Sequence, residues 1–315
     1  NPESVDADFE LLAERSDTED TPAMIPQDSW DSDDDMGEEA DGESMVDYLV
    51  LTGAEPTEAR SNVYSMLGKR PTTFMEVYGR GAINETANKA RRNLDLKGRG
   101  ALDLRTTKAS GEPWNFNLRS DRREARELID QRQPDWLIGS PPCTAFSIWN
   151  YAMNYPKMSK DKVQVALAEG RTHLAFMASL YRKQILRGKY FLHEHPATAL
   201  SWKEDAIVQL SKLPSVYTTV ADQCMYGLTS PTGANGTERL PSMKPTRFMT
   251  NSIHMQAKLS TRCDRSHKHQ QLVGGRCAEA AFYPLGLVKA ILSGMQATTQ
   301  ADQLQDQMHE ERKAL

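Results

Sequence analysis

Short apolar runs alternate with longer amphipathic stretches along most of the chain. The apolar runs cover residues 73–78, 100–104, 135–139, 189–194 and about 216–222, and each has the length of a strand. Helical spacing of apolar positions marks the stretches at about 85–93, 121–131, 162–187 and 202–213. Strands that alternate with helices predict an α/β domain with a mostly parallel sheet flanked by helices.

Polar side chains stand where several of these strands end. Glu76, Asp103, Cys143 and Glu194 all fall at or near the carboxyl end of a predicted strand. Ligands of parallel sheets collect beyond that edge. The sequence therefore predicts a functional site there, with Cys143 of Ser-Pro-Pro-Cys at its centre.

Charge is distributed unevenly along the chain. Residues 1–45 contain 17 acidic residues and one basic residue, whereas the remainder contains 37 basic and 26 acidic residues. An acidic segment with few apolar residues cannot bury enough surface to fold, so 1–45 is predicted to be disordered. A basic body is what a domain that binds DNA or another nucleic acid would show, although a solvated basic surface would look the same.

The pattern divides the chain into four parts. After the acidic segment we predict a linker with a short helix (46–69), an α/β domain (70–295) and a polar tail (296–315). No apolar run reaches the ~18–20 residues of a membrane span. Four dispersed cysteines are too few for a disulfide scaffold and favour an intracellular, reducing compartment.

Several motifs resemble those of C5-cytosine DNA methyltransferases. Ser140–Ser147 (SPPCTAFS) is similar to the family's catalytic Pro-Cys motif, and His193–Pro196 (HEHP) to its Glu-Asn-Val motif. Asp222–Gly227 (DQCMYG), with Arg247 beyond a loop, resembles the tyrosine-glycine and arginine elements that follow. The resemblance spans about 70–250 and implies a Rossmann-like methyltransferase fold.

The resemblance also implies roles for these residues. Cys143 would attack C6 of a flipped cytosine, Glu194 would protonate ring N3, and Arg247 would touch the base or its phosphate. S-adenosylmethionine would lie across the first strand ends. The residues expected to hold it are Glu76 near the methionine amine, Asp103 at the ribose, Gly79, Gly81, Asn115 and Pro141, with Trp114 beside the adenine.

A more extensive resemblance is to methyltransferase-like domains in copia-type retrotransposon polyproteins. It is carried by Ser140–Cys143, Phe191–Pro196, Lys244–Ser252 and Cys263–His269. The acidic leader and a first residue other than Met suit a segment of such a polyprotein. This resemblance implies that other domains of such a polyprotein are partners and that the location is nuclear.

Two alternative functions remain open at this level. Glycines follow Glu76 at the third and fifth positions, which departs from the family's usual first motif. The departure suits a module that kept the scaffold and binds nucleic acid without catalysis. A zinc-dependent nuclease or deaminase fits less well, because His193 and Glu194 lack the spacing of such motifs.

The segment 260–277 contains a possible metal site. Cys263, His267, His269 and Cys277 are two thiols and two imidazoles, a ligand set that tetrahedral zinc accepts. Their spacing matches no common zinc finger. The same segment carries four basic residues, so a phosphate-binding loop with incidental cysteines is the alternative.

Overall fold

The structure, a computed structural model, describes residues 53, 71–89, 95–232, 238–273 and 276–314. The predicted acidic segment (1–45) and, apart from Gly53, the predicted linker with its short helix (46–69) lie outside these residues.

Eight strands occur in the described part of the chain, and six of them form the central sheet. They are β1 (Thr72–Val77), β2 (Leu96–Leu102), β3 (Trp136–Gly139), β4 (Tyr190–Pro196), β5 (Tyr217–Asp222), β6 (Thr229–Pro231), β7 (Arg239–Pro241) and β8 (Pro245–Thr250). The sheet has the order β2-β1-β3-β4-β8-β5, while β6 and β7 pair separately. The pairs among β1–β4 are parallel, and β8 runs antiparallel between β4 and β5.

Helices cover both faces of the sheet. They are α1 (Ala82–Lys89), α2 (Arg119–Arg132), α3 (Lys160–Leu186), α4 (Asp205–Ser211), α5 (Ile253–Lys258), α6 (Arg276–Glu279) and α7 (Leu285–Ala314). One apolar core joins the sheet to α2, α3 and α4, and a second joins it to α1, α5 and α7. The α/β prediction, a mostly parallel sheet flanked by helices, is confirmed. No helix within the described ranges is long and apolar enough to cross a membrane.

Strands β6, β7 and β8 and the length of α7 go beyond the sequence prediction. Residues 245–250 form β8, a strand that the alternation of apolar runs did not predict, because its partners are distant strands rather than its chain neighbours. The closing helix α7 continues without a break through the predicted polar tail. Within that tail Thr298 is buried against Ser252, and Asp302 accepts a hydrogen bond from Tyr190.

The unequal lengths of β3 and β4 determine what lies at the carboxyl edge. β3 ends at Gly139, which pairs with His193 of β4. β4 continues for three more residues, and Glu194 and His195 lie in this extension. The loop that leaves β3 at Ser140 therefore runs beside Glu194 and His195.

Candidate active site at the carboxyl edge of the sheet

Two side-chain contacts hold the Ser140–Cys143 loop against β4, one on each face of the sheet. On one face His195 Nε2 lies 2.7 Å from the carbonyl oxygen of Pro141. On the other face the Ser140 hydroxyl lies 2.5 Å from the Tyr283 hydroxyl. Consecutive loop residues are thus fixed from opposite sides, which gives the cysteine that follows a defined position relative to β4.

Tyr283 connects the loop to Glu194. Its hydroxyl donates to Glu194 Oε2 at 3.3 Å, so it accepts from the hydroxyl of Ser140. Burial raises the pKa of Tyr283 well above its usual value, which keeps the phenol neutral and able to donate. Glu194 itself is only 6 % exposed, and its Oε1 has no hydrogen-bond partner among the described residues. A buried carboxyl oxygen without a partner is unusual and calls for an explanation, and a catalytic role is one that such groups have.

Cys143 opens a single turn of 3-10 helix that runs from Thr144 to Phe146. The amide of Phe146 donates to the Cys143 carbonyl at 3.0 Å, and the Phe146 ring is fully buried in the core. Cys143 is half-buried and forms no disulfide within the described residues. The turn thus anchors the cysteine, and the residue as a whole stays partly exposed.

The hydrogen bonds of His195 define its tautomer. A carbonyl oxygen can only accept a hydrogen bond, so Nε2 carries a proton and donates to Pro141. Nδ1 then accepts from the Ser201 hydroxyl at 2.6 Å. Burial lowers the pKa of His195, which favours this neutral form. The neighbouring His193 is also fully buried, and burial lowers its pKa well below the usual value. Both imidazoles are built into the sheet as neutral groups.

The carboxyl ends of β1 and β2 fit S-adenosylmethionine only in part. Glu76 is 3 % exposed, and its Oε1 accepts from the backbone and side-chain nitrogens of Asn84 at 2.8 and 2.7 Å. Burial raises the pKa of Glu76, while these donors at the start of α1 favour its charged form. Its carboxylate caps α1. A Cβ on Gly79 would lie 2.6 Å from Glu76 Oε2, so this glycine makes room for the glutamate.

The other residues predicted to hold the cofactor are either half-buried or packed in the core. Asp103 is half-buried and its Oδ1 accepts from the amide of Arg105 at 3.1 Å. Gly81 has a φ of +88°, a conformation that favours glycine. Asn115 is half-buried, and its backbone N–H donates to the Asp121 carboxylate at 2.8 Å. Trp114 is 3 % exposed and packs in the core, which leaves little of its ring for an adenine.

Arg247 lies on β8 directly opposite His195 of β4. Its guanidinium is 5.1 Å from the centre of the Trp202 ring, a cation–π arrangement. It is half-buried. The structure therefore brings Arg247 beside the strand that carries Glu194, on the face of the sheet occupied by His195.

An exposed apolar segment follows the Cys143 turn. Its large side chains are 37–64 % exposed, and they are Ile148, Trp149, Tyr151 and Met153. Asn150 within the segment donates to the Thr144 carbonyl at 2.7 Å, which ties it to the turn that contains the cysteine. Aromatic and aliphatic side chains of this kind insert between bases or stack on them in nucleic-acid complexes.

A second cluster gathers sulfur and imidazole ligands at the far edge of the sheet. It contains Cys224, Cys263, His267 and His269, whose ligand atoms all lie within 4.8 Å of one another. Three of these were predicted from sequence. The fourth predicted ligand, Cys277, has a side chain outside the described residues, and Cys224 supplies the second thiol of the described cluster.

Sequence reasoning missed the functional potential of Tyr283, Ser201 and Cys224. Tyr283 directly precedes Pro284 and the start of α7, and no motif in the sequence indicates its contact to Glu194. Cys224 lies within the quoted Asp222–Gly227 motif, yet no spacing rule connects it to Cys263.

Comparison with models of known protein families and with curated protein sequences finds no match to this chain. The resemblance to cytosine methyltransferases therefore rests on the motifs quoted above.

Proposed function

We propose that this domain acts on nucleic acid as a C5-cytosine methyltransferase-like enzyme, with Cys143 as nucleophile and Glu194 as acid. The observation that carries the proposal is the pair of contacts that hold the Ser140–Cys143 loop against β4. Through Tyr283 and His195 these contacts keep the cysteine beside the strand that carries a buried, partly unpartnered carboxyl.

The chemistry of cytosine requires this combination of groups. C5 of the ring becomes nucleophilic only when a thiolate has added to C6, the part given to Cys143. A carboxyl proton donated to ring N3 draws electron density and favours that addition. Glu194 Oε1, without a partner in the described chain, suits this contact, while Tyr283 fixes the other oxygen.

A base within a duplex must leave the stack before a thiol can reach it. The exposed side chains of Trp149 and Tyr151, tied to the Cys143 turn, suit contacts with the bases left behind. Arg247 is the candidate for a contact with the extruded nucleotide or its phosphate. The basic balance of the chain after residue 45 favours binding to the phosphate backbone.

The methyl group would be supplied by S-adenosylmethionine, which would leave as its demethylated product. Loss of the C5 proton to water would then break the bond between C6 and Cys143 and release the thiolate. Asp103 and the backbone around Gly81 are the groups that would hold it at the ends of β1 and β2. Glu76 is assigned no contact with it, because its carboxylate is used to cap α1.

Transfer of a tritiated methyl group to DNA of mixed sequence tests the proposal. The wild-type chain should label cytosine at C5, and Cys143→Ala should reduce the label to background. Glu194→Gln should reduce the rate strongly while the variant still binds DNA. No label in the wild type with either duplex or single-stranded substrate would refute the enzymatic proposal.

A second candidate function is binding of nucleic acid without catalysis. The specific observation in its favour is the internal role of Glu76, which removes a residue that the family resemblance assigned to the cofactor. It predicts salt-sensitive binding that is unchanged in Cys143→Ser, no uptake of S-adenosylmethionine in calorimetry, and no methyl transfer.

A further inference from the structure

The cysteine–histidine cluster joins two separate parts of the chain. Cys224 lies in a short 3-10 helix (Gln223–Tyr226) that directly follows the edge strand β5. Cys263, His267 and His269 lie in the irregular loop after α5. Cys224 is buried and the other three are half-buried. The cluster therefore lies between the loop and the edge of the sheet.

The spacing of the ligand atoms fits a tetrahedral metal. Cys263 Sγ lies 3.6 Å from His267 Nε2 and 3.4 Å from His269 Nε2. Zinc bonds of about 2.3 Å to sulfur and about 2.0–2.1 Å to nitrogen, at tetrahedral angles, separate the two ligand atoms by about 3.6 Å. Both imidazoles direct their Nε2 atoms toward the Cys263 sulfur. The same orientation would let both coordinate one ion beside that sulfur.

Asp222 holds both parts of the cluster in place. It is the last residue of β5, is 1 % exposed, and directly precedes the 3-10 helix that carries Cys224. Its Oδ2 accepts from the amide of Cys263 at 2.9 Å and from Arg262 Nε at 2.8 Å. In addition the amide of Arg265 lies 3.2 Å from Cys263 Sγ, and amide donors of this kind stabilise a metal-bound thiolate.

We propose that Cys224, Cys263, His267 and His269 together bind one zinc ion. Two thiols and two imidazoles are borderline-soft donors, which favour zinc over the oxygen-seeking calcium and magnesium. Four protein ligands leave no open position, so the ion is structural. It fastens the loop to the sheet edge and holds Arg262, Arg265 and Lys268 on the exposed side. This assignment is independent of methyl transfer.

The metal content of the purified chain of residues 1–315, measured by inductively coupled plasma mass spectrometry, tests the proposal. We expect one zinc per chain in the wild type and in the matched variant Cys143→Ser, which removes a thiol outside the cluster. Cys224→Ser and Cys263→Ser should each lower the zinc content at least tenfold after dialysis against a mild chelator.

Cobalt substitution identifies the ligands even where a serine variant fails to fold. The wild-type chain loaded with Co²⁺ should show the intense visible bands of tetrahedral coordination and a thiolate charge-transfer band. Cys224→His retains four ligands, so the tetrahedral bands should persist while the charge-transfer intensity falls by about half.

Two results would overturn the assignment. They are a wild-type chain that takes up neither zinc nor cobalt, and a Cys224→Ser variant that retains full zinc. An unchanged charge-transfer band in Cys224→His would equally remove Cys224 from the site.

Discussion

His195 offers a sharp test of how the Cys143 loop is held, because each ring nitrogen has one partner. Nε2 donates to the Pro141 carbonyl and Nδ1 accepts from Ser201, which is 1 % exposed. His195→Phe keeps most of the volume but leaves both partners buried and unsatisfied. Each such group costs about 1–3 kcal/mol, so the free energy of unfolding should fall by about 2–6 kcal/mol.

Two amide variants separate the contacts of His195. A glutamine side chain places its nitrogen near the Nε2 position and keeps the donor to Pro141. An asparagine side chain reaches only the Nδ1 position and keeps the contact with Ser201. Each variant should cost about 1–3 kcal/mol in urea unfolding, because each leaves one partner unsatisfied.

Their activities should differ although their stabilities are similar. His195→Gln keeps the loop tethered and should retain most methyl transfer, whereas His195→Asn frees Pro141 and should lose it. Equal activities in the two amide variants would refute the positioning role of the Pro141 contact. The energetic reasoning would be refuted if the free energy of unfolding of His195→Phe were less than about 1 kcal/mol below that of the wild type.

Three further predictions concern other buried groups. Burial lowers the pKa of His193 in the folded chain. As the pH falls, the unfolded chain therefore protonates this residue before the folded chain does. The free energy of unfolding should therefore decline below about pH 6.5 by up to ~1.4 kcal/mol per pH unit for this residue, and His193→Phe should flatten the urea-unfolding profile. Tyr283→Phe removes the hydroxyl shared with Glu194 and should lower stability by about 1–3 kcal/mol in urea unfolding and slow methyl transfer; an unchanged rate would contradict its positioning role. Glu76→Gln removes the charge that caps α1 and should cost about 1–2 kcal/mol by thermal circular dichroism, with or without S-adenosylmethionine. The capping role would be contradicted if S-adenosylmethionine alone restored the thermal stability of Glu76→Gln.

The parts of the fold that the sequence predicted are those set by local patterns. The apolar run that ends at Gly139 and the double proline predicted both β3 and the position of Cys143 at its carboxyl end. β4 followed from the same kind of run. Because these strands are buried on both faces and separated by long helices, their sequences alone identify them.

The remaining features depend on contacts between distant residues. β8 contains Pro245 and polar Thr246, and it becomes a strand only because β4 and β5 supply partners on both sides. Likewise Glu76 was recognised as a polar residue at a strand end. Its capping role depends on a side-chain conformation toward α1 that no motif encodes.

Covalent trapping on DNA that contains 5-fluorocytosine tests most directly whether Cys143 attacks the pyrimidine. Duplexes of mixed sequence would be incubated with the chain and S-adenosylmethionine, denatured in detergent and separated by electrophoresis. The account predicts a protein–DNA adduct for the wild type, linked through the peptide that contains Cys143, and none for Cys143→Ala. No adduct in the wild type, or an equal adduct in Cys143→Ala, would contradict it.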